Sequence, residues 1–169
     1  MNAINFNGAT PASTYRREQT DFTYQVAVYY NDMKLVDKDG NDLYVTAYIG
    51  VKGDANLDNI LDSVDAAQVL AYYSEVVNGA SPDEVQLSLT RTDLVTGPDS
   101  IYDHFAAFLA DTDTNEWDPD NWSVRKSGRN NDSADASQIL AAYTEANNGR
   151  ENEMWEVWNE IVPSRFGEN

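Results

Sequence analysis

The chain has 169 residues, 29 acidic against 11 basic, a formal net charge of −18 and no cysteine. That length suits one ordinary domain or two small ones. The charge argues against nucleic acid and anionic membrane surfaces as partners, since both need a basic footprint. Without cysteine there is neither a disulfide framework nor a thiolate metal site, and the many carboxylates point instead to oxygen-ligated cations. No apolar run is long enough to span a bilayer, so no direct membrane insertion is expected, and no signal peptide is recognisable at the N-terminus.

Residues 1 to about 12 carry few signals and read as a frayed lead or a short edge strand. Residues 22–30 and 43–51 alternate with period two and are rich in aromatic and β-branched side chains, the pattern of strands. Between them, residues 37–42 read as a hairpin turn, with Gly40 supplying a positive φ. A rival reading as the start of a calcium loop is weaker, because a strand follows where a helix is needed.

The second strand runs directly into residues 54–65. Taken as a 12-residue loop, this segment places oxygen-bearing side chains at positions 1, 3, 5, 9 and 12: Asp54, Asn56, Asp58, Asp62 and Asp65. Calcium takes six to eight oxygen ligands, and a loop of the EF-hand type supplies them from those positions plus a backbone carbonyl at position 7, here Ile60. Position 6 is Asn59 where glycine is usual; asparagine tolerates the left-handed backbone such a turn needs. Position 12 is Asp65, one methylene shorter than the usual glutamate. An exit helix follows over about 63–77, with Ala66, Val69, Tyr73 and Val76 at helical spacing. Ser63 is a candidate cap, and Asn78-Gly79 ends the helix. No entering helix precedes the loop.

Residues 80–99 form a connector with a possible short strand at 85–89. A second helix begins at Asp99 or Ser100 and presents Ile101, Tyr102, Phe105, Phe108 and Leu109 as a core face. His104 lies beside that face with no second histidine or cysteine near it, so neither a metal nor a catalytic role is expected. Asp111, Asp113 and Asn115 then open a second loop at positions 1, 3 and 5. An insertion follows, containing Trp117, Asp118, Asp120, Trp122, Arg125 and Lys126. The loop resumes with Asn130 at position 7, Asn131 at 8, Asp132 at 9 and Asp135 at 12. Asp111 to Asp132 spans 21 residues against 8 from Asp54 to Asp62, which makes 13 extra. Loop closure costs grow slowly with length, so ligands can flank an insertion. Asp118 or Asp120 stands as an alternative to Asn115. Position 8 is Leu61 in the first loop and Asn131 in the second, so the second is expected to be looser.

Residues 62–79 and 132–149 match at a constant offset of 70, the mark of an internal repeat. The second exit helix is expected over about 133–146. A terminal helix over about 152–162 carries Met154, Trp155, Trp158, Ile161 and Val162 on one face, read as packed on the body in preference to an exposed aromatic patch. The fold class is α+β. A small N-terminal β-module, a hairpin or partial sandwich over residues 1–50, packs on a mainly α unit over 51–169. That unit comprises repeat one at about 53–79, a connector and helix at 80–110, repeat two at about 111–149 and the terminal helix.

Two calcium-loop-plus-helix (F-hand) repeats, with Gly53-Asp54, Asn56 and Asp58 opening the first, resemble the dockerin family of cellulosome-building bacteria. The likeness covers about residues 50–162. A closer likeness is to ruminococcal dockerins that follow an X-module, carried by residues 9–15, 28–31, 40–42, 48–54 and 101–109, by Asp62, Asp65 and Ala66, and by the inserted second loop. The resemblance implies a secreted, non-catalytic module that holds two calcium ions. Such a module binds a cohesin domain of a cell-surface anchoring scaffoldin, tethering a scaffoldin or adhesin at the bacterial cell surface for plant polysaccharide degradation. In that family recognition lies just before and along the exit helices. Carried over, those positions are Ser63, Val64, Leu70, Ala71, Ser133, Ala134, Leu140 and Ala141; Leu70 and Leu140 equally suit a core. The insertion breaks the pseudo-symmetry of the repeats, so one binding orientation is expected.

Other classes fit less well. Paired carboxylates can hydrolyse glycosides, but these are spaced as metal ligands and no nucleophile–base constellation accompanies them. A calcium-stabilised carbohydrate-binding module would need Trp117, Trp122, Trp155 or Trp158 as its platform. A calcium sensor would need the entering helix and a Met-rich groove.

Overall fold

The structure, a computed structural model, describes residues 16–17, 21–113 and 125–162. Of the positions singled out in the sequence, the N-terminal edge segment, Asn115, Trp117, Asp118, Asp120 and Trp122 lie outside the described residues.

The alternating run at 22–30 forms two strands, not one. β1 (Thr23–Ala27) pairs antiparallel with β4 (Tyr44–Tyr48), in a register from Thr23 opposite Tyr48 to Ala27 opposite Tyr44. β2 (Tyr29–Tyr30) turns back on β3 (Met33–Lys34). The break falls at Val28. Its N–H donates to the Leu43 carbonyl at 3.0 Å, its carbonyl accepts from Leu35 N–H, and Leu43 N–H bonds the Leu35 carbonyl. The inner turn places Asn31 and Asp32 at φ 47° and 62°, the left-handed pair that suits the twist of a two-residue hairpin. Asn-Asp lacks the glycine that usually advertises such a turn, so the inner hairpin is invisible to the period-two pattern. The outer turn is as read: Gly40 has φ 85°, and the Asp37 carboxylate accepts the N–H groups of Asp39 and Asn41.

The ribbon is anchored at its base. Phe22 is buried and meets Tyr102 and Phe105 edge-on at 6.4 and 6.0 Å, and Tyr48 packs on the same two rings. The far end, with Tyr29, Tyr30 and Met33, is exposed.

Four helices follow: α1 (Ser63–Val77), α2 (Ile101–Ala110), α3 (Ser133–Glu145) and α4 (Met154–Ile161). The chain is thus an α+β fold. α1 packs on α3 through positions related by the offset of 70: Ala66, Val69 and Tyr72 on one helix, Ala136, Ile139 and Ala142 on the other, all buried. The alanines permit close approach of the backbones. Tyr72, not Tyr73, is the inner tyrosine. Asp62, not Ser63, caps α1: its carboxylate accepts Val64 N–H at 2.7 Å, and Ser63 is the first helical residue. A carboxylate accepts more strongly than a hydroxyl at the positive end of the helix dipole. α4 buries Met154, Val157 and Trp158, while Trp155 stands 37% exposed. A turn over Ala146–Arg150 joins α3 to α4, and Arg150 holds Glu145, Glu153 and Glu160 together.

α2 is capped by Ser100. Its buried face carries Asp103 and His104 as well as Phe105 and Leu109, and Ile101 is half exposed. Asp103 explains the connector. Residues 85–89 form no strand, because their backbone donors find side chains instead. Leu87 and Ser88 N–H bond the Asp103 carboxylate, and Leu89 N–H bonds Gln68 Oε1 at 3.0 Å. The Asp103 charge is met by Lys126, wholly buried, whose ammonium also reaches the Val85 carbonyl and lies 5.8 Å from the centre of the Tyr72 ring. Lys126 opens the short 3-10 turn Lys126–Gly128, so the return end of the second-loop insertion is pinned in the core. His104 sits beside this pair, with Nε2 3.1 Å from Asp99.

Removing one partner of a buried ion pair leaves an uncompensated charge and costs about 3–5 kcal/mol. Lys126→Ala is therefore expected to lower stability by that order in urea unfolding. The double change Lys126→Met, Asp103→Asn removes both charges and keeps an oxygen for the Leu87 and Ser88 N–H groups, so it should recover part of the loss; a double variant no more stable than Lys126→Ala would contradict the ion-pair account.

Candidate functional site

The first loop folds because each carboxylate turns inward to collect backbone N–H groups. Asp54, wholly buried, takes Asp58 N–H on Oδ1 at 3.0 Å and Asn59 N–H on Oδ2 at 2.9 Å. Asn56 Oδ1 accepts from Asp58 N–H, and Asp58 Oδ1 from Ile60 N–H. Asp65, also wholly buried, does two tasks. Its Oδ1 accepts Asn56 N–H at 3.1 Å and its Oδ2 accepts Asp62 N–H at 2.8 Å, completing a reciprocal capping box at the start of α1. Loop and helix therefore share one side chain. The turn at position 6 takes the left-handed conformation expected of it, with Asn59 at φ 68°. Leu57 is left-handed too, at φ 59°, which nothing in its sequence context announces.

Gly53 precedes the loop at φ 89°, and a Cβ there would lie 2.6 Å from Leu61 Cδ1 and 3.3 Å from Ile139 Cγ1. Its N–H donates to the Leu109 carbonyl at 2.7 Å. That bond sets the first loop against the end of α2, where the second loop begins. Lys52 bridges the same junction, its ammonium 3.4 Å from the Asp111 carbonyl and 5.2 Å from the centre of the Trp158 ring.

The first loop has a further partner that the sequence reading missed. Arg17 donates its backbone N–H to the Asn59 carbonyl, and its guanidinium bonds Asn59 Oδ1 at 2.9 Å and the Ile49 carbonyl. Arg16 forms an isolated antiparallel bridge with Ile60. The signal was a basic pair in an acidic chain, which does not say where it lands.

In the second loop Asp111, Asp113 and Asp135 bring one carboxylate oxygen each within 4.8 Å of one another, an arrangement that can hold a metal ion. Asp135 repeats the double task of Asp65. Its Oδ1 accepts Thr112 N–H at 2.7 Å and its Oδ2 accepts Asp132 N–H at 2.9 Å, and Asp132 caps α3. Asn130 is exposed, with Nδ2 on Asp132 Oδ2. Asn131 is buried and bonds the Ala107 carbonyl of α2 at 3.0 Å, where Leu61 in the first loop packs in apolar surroundings. Arg129 pairs with Asp111 at 3.0 Å, both side chains buried. The convergence of carboxylates is thus clearest in the loop expected to be looser.

Burial raises the buried carboxyls most, and neighbouring carboxylates add to it against the lowering effect of the N–H bonds. Asp54 is pushed up to about 7, Asp65 to about 8 and Asp135 to about 7. Asp113 is raised by burial first, then by Asp111 and Asp132. The donor set is of hard oxygens, two of the carboxylates in each loop are wholly buried, and the crowding is of the kind a divalent cation relieves.

All eight candidate recognition residues are exposed: Ser63, Val64, Leu70 and Ala71 along α1, and Ser133, Ala134, Leu140 and Ala141 along α3. Leu70 is 43% and Leu140 40% exposed, so neither belongs to the core. Beside the α3 ridge an open hollow is lined by Leu140, Ala141, Thr144, Glu145, Glu160 and Ile161.

A carboxyl whose folded pKa is raised binds a proton that the unfolded chain, near 3.8, has released. Its contribution is full below about pH 4 and is lost as pH climbs through the folded values. The opposite sign applies to Asp42, Asp93 and Glu160, which cationic partners lower and which lose their contribution in acid. The metal-free chain is therefore expected to melt at a falling temperature from about pH 5 to pH 8, and a saturating divalent cation should flatten that slope. A metal-free melting temperature rising over the same range would contradict the assignment. Neither protein-family models nor curated proteins yield a match to this chain, so its functional reading stands on the geometry of the two loops.

Proposed function

We propose that the chain is a non-catalytic, calcium-dependent docking module. It binds a cohesin domain of a cell-surface anchoring scaffoldin, and so tethers a scaffoldin or adhesin at the bacterial cell surface in cellulosome assembly. Two calcium ions order it, one in each loop: Asp54, Asn56, Asp58, Asp62 and Asp65 with the Ile60 carbonyl, and Asp111, Asp113, Asn115, Asn130, Asp132 and Asp135.

The observation that carries this reading is the coupling of each loop to a helix through one carboxylate. Asp65 and Asp135 each bond the start of their loop and the cap of the helix that follows. A cation drawn to that carboxylate fixes where the helix begins. The two helices so placed turn a matched apolar series outward, Val64, Leu70 and Ala71 beside Ala134, Leu140 and Ala141, with serines at their first turns. An exposed apolar strip with a polar margin has the layout of an interface core and rim, uncharged at its centre. A secreted protein bathed in millimolar calcium fills even a weak site, which makes the ions structural and not a signal. The sugar-binding alternative loses one of its platforms, since Trp158 is buried.

The test is a calcium-dependent binding screen against a panel of cohesins, with Val64→Asp, Leu70→Asp and Ala134→Asp, Leu140→Asp as separate pairs. Loss of at least about tenfold in affinity from one pair, with little effect from the other, is the expected single-orientation result. If neither pair alone weakens binding, two orientations are in use and the single-mode expectation is wrong. No binding to any cohesin, with retention on cellulose, would favour the carbohydrate reading. Chelator should lower helical ellipticity in far-UV circular dichroism; an unchanged spectrum would sink the structural role of calcium.

A further inference from the structure

The offset that aligns the two repeats places Arg129 opposite Asn59, at position 6. In the first loop the Asn59 backbone N–H donates to Asp54 Oδ2 at 2.9 Å. In the second, the equivalent oxygen, Asp111 Oδ2, is met at 3.0 Å by Arg129 Nη1. The position 1 carboxylate of the second loop thus receives a full positive charge, and no cation pairs with that of the first among the described residues. The guanidinium is buried, lies 4.6 Å from the centre of the Phe108 ring, and leaves Nε without a hydrogen-bond partner among the described residues. Its backbone is set by the turn that Lys126 anchors, with Arg129 N–H on the Lys126 carbonyl at 2.9 Å. Among the described residues no ion pair reaches Asp54, Asp58 or Asp65. Arg91 lies near enough to feel Asp54 and Asp58, yet it pairs with Asp93 and the Leu57 carbonyl.

We propose that Arg129 is a resident counter-cation of the second loop, holding Asp111 in place without metal and weakening that loop for calcium, so that the first loop fills first. This rests on the reading of both loops as calcium sites. Calcium loops set their affinity largely through the net charge of their ligands. At the ligand positions each loop has four aspartates, 54, 58, 62 and 65 or 111, 113, 132 and 135, and among the described residues only the second pairs one of them with a cation. The same pairing stabilises the metal-free second loop, whereas the first keeps its repulsion until a cation arrives. Arg129 is a positioning residue here; it binds no ion itself.

The experiment is a calcium titration by calorimetry on the full chain, beside melting in chelator. The wild-type chain is expected to show two constants separated by about tenfold or more. Asp58→Asn should weaken the tighter step and Asp113→Asn the weaker one. Arg129→Gln is expected to lower the melting temperature in chelator and to strengthen the weaker constant by about tenfold. Arg129→Lys keeps the charge though not the stacking on Phe108, and its weaker constant should stay nearer to wild type than that of Arg129→Gln; it also serves if the Gln variant is unfolded without calcium. Weaker calcium binding in Arg129→Gln would overturn the inference, as would an unchanged constant, a gain as large in Arg129→Lys, or assignment of the tighter step to Asp113. No calcium binding by the wild-type chain would sink the reading of the loops and the inference with it, whereas binding with unchanged affinity in Arg129→Gln sinks the inference alone.

Discussion

A single carboxylate at the third position of each exit helix organises the molecule. Asp65 and Asp135 are wholly buried, and each divides its two oxygens between the start of the preceding loop and the backbone of the capping residue. Because one rigid group serves both, the loop cannot open without loosening the first turn of the helix. The two helices in turn pack through Ala66, Val69 and Tyr72 against Ala136, Ile139 and Ala142, so the geometry of either loop reaches the other through the helix pair. Burying such groups is unfavourable unless their charge is met, and burial accordingly pushes the carboxyls of Asp54, Asp65 and Asp135 upward.

The two repeats meet this cost differently. The first surrounds its carboxylates with backbone donors and is braced from outside by Arg17 and by the Gly53 contact with Leu109. The second brings cations inward, Arg129 to Asp111 and Lys126 to Asp103, and where the first packs Leu61 it has Asn131, whose side-chain N–H donates to the Ala107 carbonyl of α2. In a chain with so few basic residues, burying two from one short segment is a strong commitment of charge. It makes the pair of loops unequal in chemistry while the helices that follow stay nearly superimposable in pattern.

Much of this was legible beforehand, for reasons that can be named. The offset of 70 located both helices because repeated apolar spacing is a property of the chain alone. The spacing of oxygen-bearing side chains located the turn at 54–62, and the left-handed Asn59 followed from the turn it had to make. What escaped depended on partners remote in sequence. The strand expected at 85–89 dissolved because Asp103 and Gln68 bond its backbone donors. The split of the first strand at Val28 followed from a three-way meeting with Leu35 and Leu43. The inward place of Tyr72 and Val157, and the outward place of Trp155, were set by what packs against each helix. Arg17, Lys126 and Arg129 were least legible, since a lone cation's spacing carries no address for the carboxylate or carbonyl that receives it.

The pinning of the second loop on both sides of residues 114–124 has one more consequence. Among the described residues, Asp111 before that interval pairs with Arg129 after it, and Lys126 after it pairs with Asp103 of α2. Closing a longer loop adds little entropy cost once its ends are fixed. The two ion pairs therefore act as a clasp at the ends of the interval. In a chain without cysteine this clasp takes the place of a disulfide, and it needs no oxidising surroundings to close.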